Sequence, residues 1–394
     1  MKRLLCITLV LALTSWCGAQ QAKTVPQEVL DRIVDDEPNP LPRYATPEER
    51  LLPRPAPTLE EILTAAPPTG TVHTPSEYEA NEGMLIRWGS YNSVLTAMTV
   101  TVTTGDPEAV VYILVTGASQ QSSATSTLSS AGADLDQVDF ITYTSNSVWI
   151  RDYGPRFIFE DAERAIVDHT YNRNRPLDNA FPGFLGSLWD EEVYLLPLTH
   201  GGGNFHLFSN GDAFMTDLIL DENSGVSELQ VKDYFDEYEN VDLTIYPGFP
   251  TSFDSTQHID MWMFPLADDQ IIIGQYASST GQPYTITENA VADLTARGYT
   301  VHRTPGWNSG GTHYTYTNAV ILNDLVMIPK FGGSYTSQDA QALAVYQTAL
   351  PDHDVSQVDC SSIIYAAGAL HCIVMHVPAY GNPIPSVEVL APNG

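Results

Sequence analysis

Along most of this chain, polar segments rich in glycine are followed by an apolar run, a tight turn and a second apolar run. Asn204 to Leu218 turns at Asn210-Gly211-Asp212, His258 to Tyr276 at Asp268-Asp269, and Asn318 to Pro329 at Asn323-Asp324. Apolar runs joined by such short turns predict β-hairpins. Helix-then-strand segments lie between them. Val226 to Tyr238 precedes the strand Val241-Asp242-Leu243-Thr244-Ile245, and Glu288 to Arg297 precedes Tyr299-Thr300-Val301. The polar anchors Asp152, Asn204, His258, Asn318 and Cys372 are 52, 54, 60 and 54 residues apart. With a further unit opening near Glu82-Gly83-Met84, the pattern predicts an α/β chain of five hairpin, helix and strand modules. Radial repetition of such modules brings one end of each to a common centre.

This texture begins at about residue 75 and runs to Gly394 without a second linker, which predicts one domain over 75–394. Upstream, residues 21 to 70 hold ten of the 27 prolines. Pro38-Asn39-Pro40-Leu41-Pro42 and Pro53-Arg54-Pro55-Ala56-Pro57 read as extended, weakly packed chain, so 20–74 is expected to be a leader or propeptide. Thr58 and Glu61 have the spacing of a capping box, predicting one short helix there. Residues 1–19 read as a secretory signal: Lys2 and Arg3, an apolar stretch from Leu4 to Leu13, and small residues Gly18-Ala19 at its end. The apolar stretch is too short to span a bilayer, so no membrane insertion is expected and the protein should be secreted or periplasmic.

Charge narrows the partners. The chain carries 48 acidic against 17 basic residues, a net charge of −31. Nucleic acid and anionic membrane surfaces are therefore poor partners, whereas a cationic substrate is compatible. Cleavage of the signal leaves two cysteines, Cys360 and Cys372, which in an oxidising compartment read first as a disulfide.

Several motifs have two readings each. Asp152 lies in Val148-Trp149-Ile150-Arg151-Asp152-Tyr153-Gly154-Pro155, where a carboxylate before Gly-Pro is commonly a turn residue. His258 and Asp260, two apart, would share one face of a strand. They suit either a polar pair or a metal pair completed by His200, His206, His302 or His313. Cys372 in Gly368-Ala369-Leu370-His371-Cys372-Ile373 has the surroundings of a core thiol. His200-Gly201-Gly202-Gly203-Asn204 is similar to a lipase oxyanion loop, but the chain has no Gly-x-Ser-x-Gly elbow.

Taken together and in this order, Trp149 to Pro155, Gly201 to Asn204, His258-Ile259-Asp260 and Leu370-His371-Cys372 resemble the bacterial (Porphyromonas-type) peptidyl-arginine deiminase family, which also contains the agmatine deiminases. The resemblance starts at about Glu77-Tyr78-Glu79-Ala80-Asn81-Glu82-Gly83. It implies a five-module α/β propeller, the pentein fold, with pseudo-fivefold arrangement. It also implies Cys372 as nucleophile, His258 as proton shuttle, Asp152 and Asp260 as the grip on a guanidinium, Trp149 lining the pocket and Asn318 ordering it. Two carboxylates suit the forked donors of a guanidinium, and a thiolate suits its carbon. No cofactor and no metal are needed.

The resemblance also bears on substrate. In the peptidyl-arginine branch, an arginine pair corresponding to Arg173 and Arg175 binds the carboxylate of a C-terminal arginine, and would repel the ammonium of agmatine. The expected substrate is therefore a peptide or protein arginine, C-terminal by preference, converted to citrulline and ammonia; agmatine or another small guanidine is the alternative. Two readings of other classes are a metal-dependent hydrolase built on His258 and Asp260, and a non-catalytic propeller-like binding protein with Cys360 and Cys372 bridged.

Overall fold

The computed structural model describes residues 21–381 of the chain. The signal reading falls on residues outside this range. Among the described residues the strands form five mixed sheets. One joins Val72–His73, Arg156–Glu160, Glu163–Tyr171 and Val193–His200; the next joins His206–Leu207, Asp212–Thr216 and Asp242–Tyr246. The third holds Met263–Ala267, Gln270–Gln275, Thr300–Ser309 and Thr312–Thr315, and the fourth Val320–Leu322, Leu325–Lys330 and Asp354–Asp359. The fifth is made from both ends of the domain: Met375–Pro378 pairs antiparallel with Asn81–Arg87, which continues in parallel to Val110–Val115 and Val138–Thr142.

Each sheet repeats one plan. An antiparallel pair is followed, after a helical crossover, by a strand parallel to its second member. Parallel neighbours need such a crossover, and the helices Glu228–Glu239, Gln282–Ala296 and Thr336–Ala349 supply it. The three predicted hairpins form at the predicted turns. The crossover helix expected from Glu288 begins six residues earlier, at Gln282, where Pro283 occupies the first turn. Among the described residues, no helix is long and apolar enough to cross a membrane.

The proline-rich segment, expected to be a weakly packed leader, is found otherwise. It is docked along its length rather than weakly packed. Glu37 accepts from Arg87 Nη1 and Nη2 at 2.7 and 2.6 Å, Asp35 accepts from the Asn92 amide, and Leu30 joins the main core. Further on, the Pro53 and Pro55 carbonyls accept from Asn174 Nδ2 and Thr199 Oγ1. An extended proline-rich strand makes few hydrogen bonds of its own, so its carbonyls are free for donors on the domain surface. Thr58 and Glu61 close the expected capping box over the helix Leu59–Thr64.

Candidate functional site

The five anchors occupy equivalent places. Asp152 lies in the short helical turn Ile150–Tyr153 just before the strand Arg156–Glu160. Asn204 ends the turn Gly202–Asn204 before His206–Leu207, and His258 caps the turn Ile259–Met261, which also carries Asp260, before Met263–Ala267. Asn318 immediately precedes Val320–Leu322, and Cys372 sits in His371–Ile373 before Met375–Pro378. All five are buried. His258 and Asp260 are not on a strand: His258 is extended at the start of a 3-10 turn, which nevertheless aims both side chains at one point.

That point is occupied by a side chain from the leader. Arg43, fully buried, donates from Nε and Nη2 to Oδ2 and Oδ1 of Asp152, each at 2.8 Å. From its other edge Nη1 and Nη2 donate to Oδ1 and Oδ2 of Asp260 at 3.1 and 2.9 Å. His258 Nδ1 lies 2.7 Å from the same Nη2. Two forked carboxylates thus grip one guanidinium, the geometry for which arginine is suited. Gly203 permits it: a Cβ there would land inside contact distance of Arg43 Nη2, and 2.7 and 2.8 Å from Asp152 Oδ1 and Asp260 Oδ2.

Cys372 stands beside this grip. Its Sγ lies 3.6 Å from Asp260 Oδ2, and Asn318 Nδ2 donates to it at 3.0 Å. Asn318 Oδ1 meanwhile accepts from the Ala369 amide at 2.9 Å, so one carboxamide fixes both the sulfur and the loop that carries it. Cys360 and Cys372 are both free thiols, and the bridged reading finds no support. Trp149 is buried, with Nε1 donating to the Leu41 carbonyl of the leader.

The charges follow from this arrangement. Burial alone would raise the Asp152 carboxyl, but Arg43 and His258 outweigh it and hold it well below the usual range. Asp260 is likewise lowered, against burial, by Arg43 and His371. Burial pushes the Cys372 thiol well up, with Asp260 and Asp152 adding to it and Arg43 opposing. His258 is lowered by burial and then by Arg43. The resting site is therefore a neutral thiol and a neutral imidazole around an ion-paired guanidinium.

Residues that the motif reading missed complete the surroundings. His371 Nδ1 contacts Asp260 Oδ2 at 2.9 Å and its Nε2 contacts Glu77 Oε1 at 2.8 Å; Arg151 Nη1 pairs with the same Glu77 oxygen at 2.9 Å. Glu77 and His371 lay inside quoted motifs, whereas Arg43 lay in the leader, where proline content argued against a site. Among the described residues, Glu77, His206 and His371 are grouped closely enough to hold a metal ion. His371 already spends both ring nitrogens on Asp260 and Glu77, and burial pushes His206 down to about 3. Neither His258 nor Asp260 belongs to that group. His302 faces Gln270, and His313 faces Tyr276 and Asp254, so they do not complete the metal pair considered from sequence.

Arg173 lines a cleft beside the site and Arg175 is buried, and both are held by residues of the proline-rich segment. Arg173 Nε donates to the Arg43 carbonyl at 3.1 Å; Arg175 Nη2 donates to the Pro42 carbonyl at 2.7 Å, and its Nε pairs with Glu49 at 2.7 Å. In this structure they hold main-chain carbonyls and a side-chain carboxylate rather than a terminal carboxylate.

The family model for Porphyromonas-type peptidyl-arginine deiminases matches residues 73–378. The agmatine deiminase of Ectopseudomonas mendocina is 24% identical over 303 residues, covering 63% of this chain and 79% of that protein. Among solved structures, the agmatine deiminase of Enterococcus faecalis superposes with a TM-score of 0.68 at 19% identity, covering 78% of this chain and 96% of that one. The C. jejuni agmatine deiminase gives 0.66 at 19% identity, with 78% and 96% covered. These structures share the fold.

Proposed function

The chain belongs to the Porphyromonas-type peptidyl-arginine deiminase family, and from that premise we propose that it hydrolyses one C–N bond of a guanidinium, releasing ammonia, with Cys372 as nucleophile. One observation carries this reading. Nη2 of the seated guanidinium has two hydrogens but faces Asp152 Oδ1, Asp260 Oδ2 and, in the tautomer that leaves it unprotonated, His258 Nδ1 as a third acceptor. A planar guanidinium cannot satisfy all three. A pyramidal nitrogen can: it gives two hydrogens to the carboxylates and accepts a proton from a protonated His258 through its new lone pair. The site is thus more complementary to the adduct than to the ground state, which is what lowers a barrier.

The steps follow from the resting charges. The Cys372 proton is lost and His258 becomes protonated, forming a thiolate next to the cation. The sulfur attacks the guanidinium carbon to give a neutral tetrahedral adduct. His258 passes its proton to the departing nitrogen, the C–N bond breaks and ammonia leaves a cationic thiouronium. Water, deprotonated by His258, then adds to that carbon, and the hydroxyl proton passes to sulfur as the C–S bond breaks, leaving a urea and the Cys372 thiol. Side chains and water suffice, without cofactor or metal.

Agmatine is the first substrate reading, supported by the names of the relatives. Arg175 is paired with Glu49, which offsets its repulsion of an ammonium once the Arg43 side chain no longer fills the grip. Peptidyl-arginine is the second reading, favoured by the contact of Arg173 Nε with the carbonyl of the seated arginine. A terminal carboxylate would place an oxygen at the same spot, while the chain continuing through Tyr44 fits an internal arginine. We further propose that the five sheets surround the site in a pseudo-fivefold propeller, and that residues 1–19 direct export.

Ammonia release is to be compared for agmatine, a peptide ending in arginine and a peptide with internal arginine, using Arg43→Gln so that the site is open. Turnover of agmatine above both peptides supports the first reading. Peptide turnover alone would replace it with the second, and no turnover of any guanidine would remove the deiminase reading.

A further inference from the structure

Arg43 lies outside the family match, which begins at residue 73, yet its side chain fills the guanidinium grip. Its backbone is fastened there as a ligand would be. The Arg43 amide donates to the Ala366 carbonyl at 3.0 Å, and the carbonyls of Leu41, Pro42 and Arg43 accept from Trp149, Arg175 and Arg173. All the polar reach of this guanidinium goes to Asp152, Asp260 and His258, the groups assigned to catalysis.

We propose that Arg43 is a self-modification site: the leader plugs the pocket with its own arginine, and the enzyme converts that arginine to citrulline in cis, which opens the site. This rests on the deiminase reading. In the conversion Cys372 adds to Cζ of Arg43, the Cζ–Nη2 bond breaks with a proton from His258, and ammonia leaves. Water gives one proton to His258 and adds to Cζ as hydroxide; the hydroxyl proton passes to sulfur as the C–S bond breaks, leaving an oxygen where Nη2 stood, and the proton on His258 leaves with the ammonia as ammonium. One water is consumed and one ammonium released.

The product does not fit the place it was made in. A ureido oxygen in the position of Nη2 would face Asp152 Oδ1 and Asp260 Oδ2, an acceptor against two carboxylate oxygens. The cation that offset two buried carboxylates is also gone, and unpaired buried charge is strongly unfavourable. Both effects drive the neutral side chain out. A cleft of about 660 Å³ beside the plug is lined by Tyr44 and Glu49 of this segment together with Arg173 and Gln257. Before conversion, an added guanidine competes with a tethered one, so its apparent KM is raised by the ratio of plugged to open chains.

The full chain is incubated without added guanidine, and the peptide containing residue 43 is followed by mass spectrometry. Ammonia release from agmatine and from an arginyl peptide is measured in parallel on wild type, Cys372→Ala and Arg43→Gln. Citrulline is expected at position 43 in wild type, at isolation or at a rate independent of protein concentration, and arginine in Cys372→Ala. Where wild type is isolated with arginine, its turnover should start after a lag that Arg43→Gln lacks. Arginine persisting at position 43 in a preparation that turns over agmatine or the peptide would overturn the inference and leave the deiminase reading standing. Conversion that accelerates with protein concentration would overturn the cis step. Failure of both wild type and Arg43→Gln on both guanidines would remove the deiminase reading, and the inference with it.

Discussion

Asp152 and Arg43, 109 residues apart, meet in a side-on fork in which both carboxylate oxygens accept at 2.8 Å, with neither side chain exposed to solvent. The contact joins the proline-rich segment upstream of residue 73 to the first anchor of the five-sheet fold. It also defines where any guanidinium must sit, and the predictions below follow from that position.

Gly203 is the floor of that position. Gly203→Ala should lower the melting temperature more in the wild-type background than in Arg43→Gln, because the added Cβ crowds the guanidinium most closely but also presses on Asp152 Oδ1 and Asp260 Oδ2. Its kcat/KM should fall about a hundredfold or more, since displacement of a reacting group by an ångström costs on that order. Steady-state kinetics beside thermal melts check it; near-wild-type turnover would mean that the substrate sits elsewhere.

Glu77 acts through His371, which contacts Asp260. Glu77→Gln should lower kcat roughly ten- to a hundredfold while KM changes little, as loss of an outer hydrogen-bond partner does in other sites. The pH profile should shift as well. A rise in KM alone would show that the chain from Glu77 to Asp260 does not orient the reacting groups.

The thiol sets the pH dependence. Burial raises Cys372 above its ordinary range, so the thiolate fraction grows as pH rises, and kcat/KM should increase from neutral into alkaline solution. The ionisation of a competent thiol is readable from the pH dependence of iodoacetamide alkylation in Arg43→Gln. A rate that is flat from pH 7 upward would place the thiol below its ordinary value and contradict the resting state described.

Arg173 and Arg175 separate the two substrates. The double change to Ala should raise KM for an arginyl peptide about tenfold, equivalent to the loss of one good hydrogen bond to a charged donor. For agmatine, which has no carbonyl to offer, KM should hold or fall. Equal effects on both substrates would assign the pair to holding the leader only.

Glu239 gives a stability prediction apart from the chemistry. It is fully buried, and burial raises its carboxyl to about 7, with Arg156 opposing. Between its ordinary value of 4.5 and about 7 the folded chain holds a proton that the unfolded chain has released. This contribution is therefore present below pH 4.5 and is lost as pH rises to about 7, on the order of a few kcal/mol in all. Glu239→Gln should flatten that slope in denaturant titrations; an unchanged slope would assign it to other groups.

Much of this was legible in the chain. Hairpin turns at Asn210-Gly211, Asp268-Asp269 and Asn323-Asp324 declare themselves because few residues adopt such turns, and their spacing carries the module plan. Asp152, His258, Asp260 and Cys372 were found as motif residues, although the strand argument for His258 and Asp260 was wrong. A 3-10 turn and a strand both tolerate His-Ile-Asp, and only tertiary packing chooses between them. Arg43 was not legible. Proline-rich composition reports how little a segment bonds to itself and says nothing of the donors awaiting its carbonyls elsewhere. The long-range partners of Arg173 and Arg175 were hidden for the same reason.

The central claim is that Cys372 forms a covalent bond to a guanidinium carbon. Arg43→Gln is mixed with agmatine, quenched in acid within the first turnovers and digested for mass spectrometry, with Cys372→Ala as control. The account predicts a thiouronium-linked adduct on the peptide carrying Cys372, absent from the control, together with loss of ammonia release in Cys372→Ala. Undiminished ammonia release by Cys372→Ala would contradict it.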